Sequence, residues 1–282
     1  MLWGIAPVLL RSLLDSADPL GLVSLRWVAA ALLLLPLALP ARRWPRRDLL
    51  VGAGLGVVGI VGGNVPFAYG LQTVPAGTAS LLLGTLPIWV ALLAVVVGGE
   101  RARMRLAVGL GLSLVGVAVL AGAPSAGGAS PTAFLAGVSL VLLSGVFFAV
   151  YLFGLTRLAA RHDALTTTAI TTVLGALPLA ALAHGGDVRI AAALDGSEWV
   201  LLAVLVVGSS VLGMLLWTAG LRNRPASHGA LLITLVPLIT VAAGALFLDE
   251  QLRVVTALSA VLCVAGVAIG SGVRLSPARQ AA

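Results

Sequence analysis

Gly70-Leu71-Gln72-Thr73-Val74-Pro75-Ala76 returns 150 residues later as Gly220-Leu221-Arg222-Asn223-Arg224-Pro225-Ala226. The same offset aligns Leu81-Leu82 with Leu231-Leu232, Pro87 with Pro237, Glu100 with Glu250, and Gly116-Val117-Ala118 with Gly266-Val267-Ala268. Apolar composition alone gives chance Leu and Ala matches. It does not readily align Pro, Pro, Glu and Gly without a gap. The chain therefore reads as a duplication.

The surroundings of these motifs are almost wholly apolar. Of 282 residues, 60% are hydrophobic and only 10% charged, where an average soluble domain carries about 25% charged residues. So few charges cannot cover a water-soluble surface of this size. A soluble enzyme, a disordered chain and a nucleic-acid binder are excluded. All 17 basic residues are Arg, which with so much Ala, Gly, Leu and Val suggests a GC-rich bacterial genome. The single cysteine, Cys263, lies in an apolar run without a disulfide partner and says nothing of redox compartment.

A transmembrane helix needs about 20 mainly apolar residues. Ten such segments are expected, near 2–14, 20–39, 49–71, 76–98, 104–122, 133–159, 164–184, 198–221, 226–248 and 254–272. The breaks are short, as at Pro124-Ser125-Ala126-Gly127-Gly128, and none holds a soluble domain. The first segment meets Asp15 early and is short for a bilayer. This favours a start upstream of Met1. No cleavable signal peptide is evident, for want of a basic start and a small-residue cleavage site.

With the N-terminus inside, Arg42, Arg43, Arg46, Arg47, Arg101, Arg103, Arg105, Arg157, Arg161, Arg222, Arg224, Arg274 and Arg279 all fall on the cytoplasmic side. Arg189 and Arg253 fall outside, and Arg11 and Arg26 within or near the membrane. The positive-inside rule selects this orientation, with both termini cytoplasmic. Five helices per half is an odd number, so the second half enters the membrane inverted, a plan of secondary transporters. The expected fold is thus all-α and polytopic: ten transmembrane helices in two inverted five-helix repeats. The halves are 1–122 and 133–274, joined by an external linker at 123–132 and followed by a cytoplasmic tail at 275–282.

Trp3-Gly4, Pro19 followed by Arg26, Ala68-Tyr69-Gly70-Leu71, Pro87 and Gly99-Glu100 stand in order in the first half. Trp217, Gly220-Leu221, Pro237, Glu250 and Gly266 repeat the pattern in the second. On these residues the chain resembles the EamA group of the drug/metabolite transporter superfamily, over nearly its whole length. The resemblance implies a ten-helix carrier of small metabolites, often an exporter of amino acids or related compounds. It also implies a central cavity lined by helices 1, 3, 4, 6, 8 and 9. The first helix departs from the superfamily's small four-helix branch in lacking a buried Glu, which argues against proton antiport of that type.

Polar groups inside membrane spans are costly, so each is a functional candidate. Pro87 and Pro237, near mid-helix, remove a backbone donor and free the carbonyls of Leu83 and Ile233. They are candidate hinges at a central site, or kinks that serve packing. Asn64 lies near mid-depth, as a ligand-reading amide or as a cap for backbone freed beside Pro66. Tyr69, Thr85, Trp89, Tyr151, Trp217, Trp3 and Thr234 are candidate cavity residues, though Tyr69 with Gln72 better suits the interfacial belt. Arg11 and Asp15, at i and i+4, suit a local salt bridge. Arg26, about 10 Å below the outer surface by helix rise, holds an anionic group or gate carboxylate, or else snorkels toward Asp15, Asp18 or a carbonyl. Glu100 and Glu250 suit helix capping. The glycines from Gly52 to Gly63 lack the Lys-Ser/Thr ending of a phosphate loop and read as packing.

The expectation is a secondary transporter in the cytoplasmic membrane, working by alternating access on amino acids or related compounds. Other amphiphiles, such as drug-like molecules or nucleosides, are the alternative. No cofactor or metal site is expected. The implied partners are a small-molecule substrate, the lipid bilayer, and protons or a counter-substrate, with the chain a monomer or homodimer. A membrane enzyme would need a nucleophile with its base, a metal cluster or paired carboxylates, and a channel a filter or charged ring. Neither pattern is evident.

Overall fold

Asp18 fixes the entry to the second helix. Its side chain accepts hydrogen bonds from the amides of Leu20 and Gly21 at 3.0 and 3.1 Å, and Pro19 opens the helix where no intrahelical amide is needed. Ser130 caps the helix from Pro131 in the same way, and Asp195 forms a capping box with Glu198. The computed structural model describes residues 2–97, 104–121, 129–182, 194–221, 226–248, 250 and 254–271, without the side chains of 120, 121, 221, 226–235 and 271.

Among the described residues the regular structure is helical throughout. In chain order come α1 (Leu2–Leu13), α2 (Pro19–Ala38), α3 (Arg46–Gly56), α4 (Gly63–Leu71), α5 (Ala76–Leu83), α6 (Leu86–Val96) and α7 (Met104–Ala121). Then follow α8 (Pro131–Ala159), α9 (Ala164–Leu182), α10 (Gly196–Val204), α11 (Met214–Leu221), α12 (Ala226–Phe247) and α13 (Val254–Ser271). Some run on into one another. Pro19–Arg43, Arg46–Leu71, Ala76–Val96, Pro131–Ala159, Ala164–Leu182 and Gly196–Gly220 are each long and apolar enough to cross a membrane. Leu2–Leu13, Met104–Val119, Val236–Phe247 and Val254–Gly270 are shorter apolar helices.

The distribution of polarity is that of a protein dissolved in lipid. Leu32 is 66% exposed and Val254 84%, while Thr167, Thr168, Thr171 and Thr172 on α9 are fully buried. The hydroxyls of Thr168, Thr171 and Thr172 donate to carbonyls one turn back, at 2.9–3.0 Å. A buried hydroxyl without such a partner is costly.

Two spans carry a wide π-helical segment. Val57–Gly62 joins α3 to α4, and Leu205–Gly213 joins α10 to α11. Shifting the first by 150 residues lands it inside the second. Pro66 has no amide to offer one turn back, and Asn64 Nδ2 donates to the carbonyls of Gly59 and Ile60, both at 3.1 Å.

The stretch 76–98, expected as one helix with a mid-helix Pro87, is instead divided. α5 ends at Leu83, Gly84-Thr85 intervene, and α6 starts at Leu86. Pro87 therefore sits in a first turn, where the missing amide costs no helical bond. Pro237 lies inside continuous α12. The two prolines are not structural equivalents.

Close packing rests on glycine. A Cβ built on Gly56 would stand 2.2 Å from Thr171 O and 2.8 Å from Gly175 N, so α3 and α9 meet backbone to backbone. α7 and α13 pair similarly. A Cβ on Gly116 would stand 2.9 Å from Cys263 Sγ, and one on Gly266 would meet Ser113 Oγ at 2.3 Å.

Candidate functional site

A cavity of about 140 Å³ lies at the centre of the helices. α1 gives it Trp3, Ala6, Pro7 and Leu10; α2 gives Arg26 and Trp27; α4 gives Gly63, Asn64 and Phe67. α5, the Gly84-Thr85 link and α6 give Ser80, Leu83, Gly84 and Leu86. The later part of the chain gives Ser144 and Phe148 from α8, Ser209 from the second π segment, Met214 from α11, and Val236 and Pro237 from α12. The expected helices 1, 3, 4, 6, 8 and 9 are all represented. The second helix, carrying Arg26, is an addition.

Trp3, Asn64, Arg26 and Pro237 thus face one cavity. Trp3 Nε1 donates to Ser209 O at 3.1 Å, which holds the indole against the second π segment. Arg26 is 6% exposed. Its Nε donates to Ser210 Oγ at 2.7 Å and Nη2 to Ser209 Oγ at 3.3 Å. It neither snorkels outward nor pairs with Asp15 or Asp18. Asn64 holds the first π segment's carbonyls, as the capping alternative expected, and it also lines the cavity.

Other candidates stand behind the cavity wall. Trp217 lies 5.2 Å from the Trp3 ring and Tyr151 5.8 Å from Phe148, centroid to centroid. Tyr151 is fully buried, with its hydroxyl 3.2 Å from Thr171 Oγ1. Thr85 accepts from Trp89 Nε1 at 3.2 Å and donates to Leu82 O at 2.7 Å, so both polar groups are consumed locally. Pro87 does not line the cavity. Tyr69 is 38% exposed and does not line the cavity. Arg11 Nη1 lies 3.6 Å from Asp15 Oδ1 on the exposed end of α1, also outside the cavity. Thr234 lies outside the residues whose side chains are described, and Glu100 lies outside the described residues.

Glu250 caps a helix far away in the chain. Its carboxylate accepts from Ala76 N at 2.6 Å and Gly77 N at 2.9 Å, closing the N-terminus of α5 from 174 positions away. Elsewhere Ser16 bonds Glu198. On the opposite end His162 Nε2 meets Asp48 Oδ2 at 2.8 Å and stacks on Trp44 at 3.8 Å, with Arg161 at 3.6 Å from the same carboxylate.

Sequence reasoning missed Trp27, Ser144, Ser209, Phe67, Phe148 and Met214. The serines carried a usable signal, being polar residues in apolar runs. The aromatic residues and the methionine did not, because the same types fill packed helix interfaces. Among the described residues no group of three His, Cys, Asp or Glu is placed to hold a metal ion.

A family model described as the EamA-like transporter family matches residues 1–122 and 135–271. An uncharacterized transporter of Archaeoglobus fulgidus is 27% identical over 273 residues, covering 95% of this chain and 94% of that one. A protein of Streptantibioticus cattleyicolor named "Probable terminal-alkyne amino-acid exporter" is 30% identical over 285 residues, covering 99% and 93%. A crystal structure matches with a TM-score of 0.67 at 20% identity, covering 95% of this chain and 93% of that chain. At that identity the likeness concerns the fold alone.

Proposed function

This chain belongs to the EamA-like transporter family, and from that premise we propose that it is a secondary carrier of amino acids or closely related small metabolites. It is a multi-pass membrane protein and a transporter. We place it in the bacterial cytoplasmic membrane, exporting or exchanging its substrate by alternating access.

The observation that carries the proposal is the central cavity, walled by both halves of the chain. Its volume, about 140 Å³, is near that of an apolar cavity able to hold benzene, about 150 Å³. Drug-sized ligands occupy roughly 300–1,000 Å³. The size favours a compact metabolite over a bulky amphiphile. The name of the Streptantibioticus relative points the same way.

The working architecture is ten spans in two inverted halves with both termini inside. Its support is the 150-residue sequence offset, the family match in two stretches, the paired π segments, and the arginine asymmetry. The loop contacts agree with it. Glu250 with Ala76, and Ser16 with Glu198, fall together outside; Asp48 with His162 and Arg161 falls inside. Rocking of one half against the other would then expose the cavity alternately. The energy would come from a proton gradient or from exchange.

The test is counterflow in liposomes loaded with pooled unlabelled amino acids, reading uptake of radiolabelled ones. Saturable uptake above protein-free liposomes is the expected result. No uptake of any amino acid by folded protein, together with competition-sensitive uptake of nucleosides or organic cations, would overturn the substrate class. Silence from every pool would overturn the carrier itself.

A further inference from the structure

Trp27 is 3% exposed and lines the cavity, and its indole Nε1 is the one fully buried side-chain nitrogen or oxygen without a hydrogen-bond partner among the described residues. Its neighbour Arg26 lines the same cavity, with the guanidinium carbon 5.0 Å from the Trp27 ring centroid. Arg26 spends one Nε and one Nη2 contact on Ser210 and Ser209. Its remaining donors have no side-chain acceptor among these contacts.

The neutral serine hydroxyls orient the cation without neutralising it. Among the described residues the ion pairs are Arg11–Asp15, Arg161–Asp48 and His162–Asp48, and Arg26 is in none of them. Among the described residues no Asp or Glu lines the cavity. A guanidinium held in a low-dielectric interior needs an anion, and a buried N–H needs an acceptor. A planar guanidinium matches two oxygens at once. The rest of the wall is apolar at Leu10, Phe67, Phe148 and Met214.

We propose that Arg26 and Trp27 form a carboxylate-binding subsite, in which the substrate's carboxylate accepts from the free guanidinium N–H groups and from the Trp27 indole N–H, while its aliphatic or aromatic body lies against the apolar wall. Ser209 and Ser210 are positioning residues for Arg26. The subsite rests on the carrier function proposed above and narrows its substrates to small monocarboxylates with apolar bodies. A single cation suits a carboxylate better than a phosphate dianion.

Binding to the purified full-length chain in lipid nanodiscs is the test, read by calorimetry. The probes are L-leucine, L-phenylalanine and 4-methylpentanoate, each against its methyl ester, with inorganic phosphate as competitor. At least one free acid is expected to bind about tenfold or more tighter than its ester, as charge-assisted hydrogen bonds require. Arg26→Gln abolishes that preference, and Arg26→Lys keeps part of it. Trp27→Phe, which preserves the ring and removes only the N–H, weakens the acid about fivefold and leaves the ester unchanged. Failure of every acid to bind, equal binding of acid and ester, or an acid preference that survives both Arg26→Gln and Trp27→Phe overturns the subsite. So does displacement by phosphate at concentrations below those of the acids. If Arg26→Gln does not fold, Trp27→Phe and Arg26→Lys decide alone.

Counterflow is read separately. Acid binding without counterflow keeps the subsite and contradicts the carrier. Counterflow of neutral compounds without acid preference keeps the carrier and contradicts the subsite.

Discussion

Ser113 and Cys263, 150 positions apart, hold each other by exchanged hydrogen bonds across the α7–α13 interface. Ser113 Oγ donates to Cys263 O at 3.4 Å, and Cys263 Sγ donates to Ser113 O at 3.7 Å. Gly116 lies over Cys263 and Gly266 over Ser113. On the proposed inverted duplication these two residues are repeat mates, and a reciprocal pair of this kind is expected beside the axis that would relate the halves.

Both bonds are long, and interhelical hydrogen bonds in membranes average about 0.6 kcal/mol. Cys263→Ala and Ser113→Ala are each expected to cost less than about 1.5 kcal/mol, with a coupling near 0.5 kcal/mol in a double-mutant cycle of unfolding free energies. Additive effects would remove the pair from the interface.

Gly56 and Gly54 lie on the same helix but differ in what surrounds them. A Cβ on Gly56 would meet Thr171 O at 2.2 Å, whereas nothing lies within 4 Å of one on Gly54. Gly56→Ala must part α3 from α9 and is expected to cost about 1–3 kcal/mol or more. Gly54→Ala gains helix propensity and is expected to be neutral or stabilising by up to about 1 kcal/mol. Thermal unfolding in detergent compares them directly.

Glu250 satisfies two first-turn amides of α5 from a distant part of the chain. Glu250→Ala leaves both without that partner and loses the favourable charge at a helix N-terminus, an expected cost of about 1–2 kcal/mol. Glu250→Gln keeps an acceptor and is expected to lose about half as much. Equal stabilities for the wild type and both variants would show that the cap contributes nothing.

The parts of the fold legible beforehand were those set by composition and period. The apolar stretches, the 150-residue offset and the cost of burying Arg26 are local or statistical properties of the sequence. What stayed hidden depends on contacts between distant residues or on backbone detail. Glu250 reads as a cap in isolation, but only the fold shows that Ala76 and Gly77 are what it caps. The π segments follow from local register changes that leave hydrophobicity untouched. Gly84-Thr85 reads as an unremarkable dipeptide, yet it divides α5 from α6 and moves Pro87 to a helix start. Nothing in the sequence separates Trp27 from its apolar neighbours, because an unpaired indole N–H is defined only by what surrounds it.

The central claim is that one cavity, between two halves, opens in turn to each side of the membrane. Ser144 is buried and lines that cavity, and Cys263 is the only native thiol. In a Cys263→Ser background, Ser144→Cys in oriented membrane vesicles should react with a membrane-impermeant thiol reagent from either side, and a transported substrate should slow both reactions. Reaction from one side only, unaffected by substrate in protein that still performs counterflow, would contradict alternating access through this cavity.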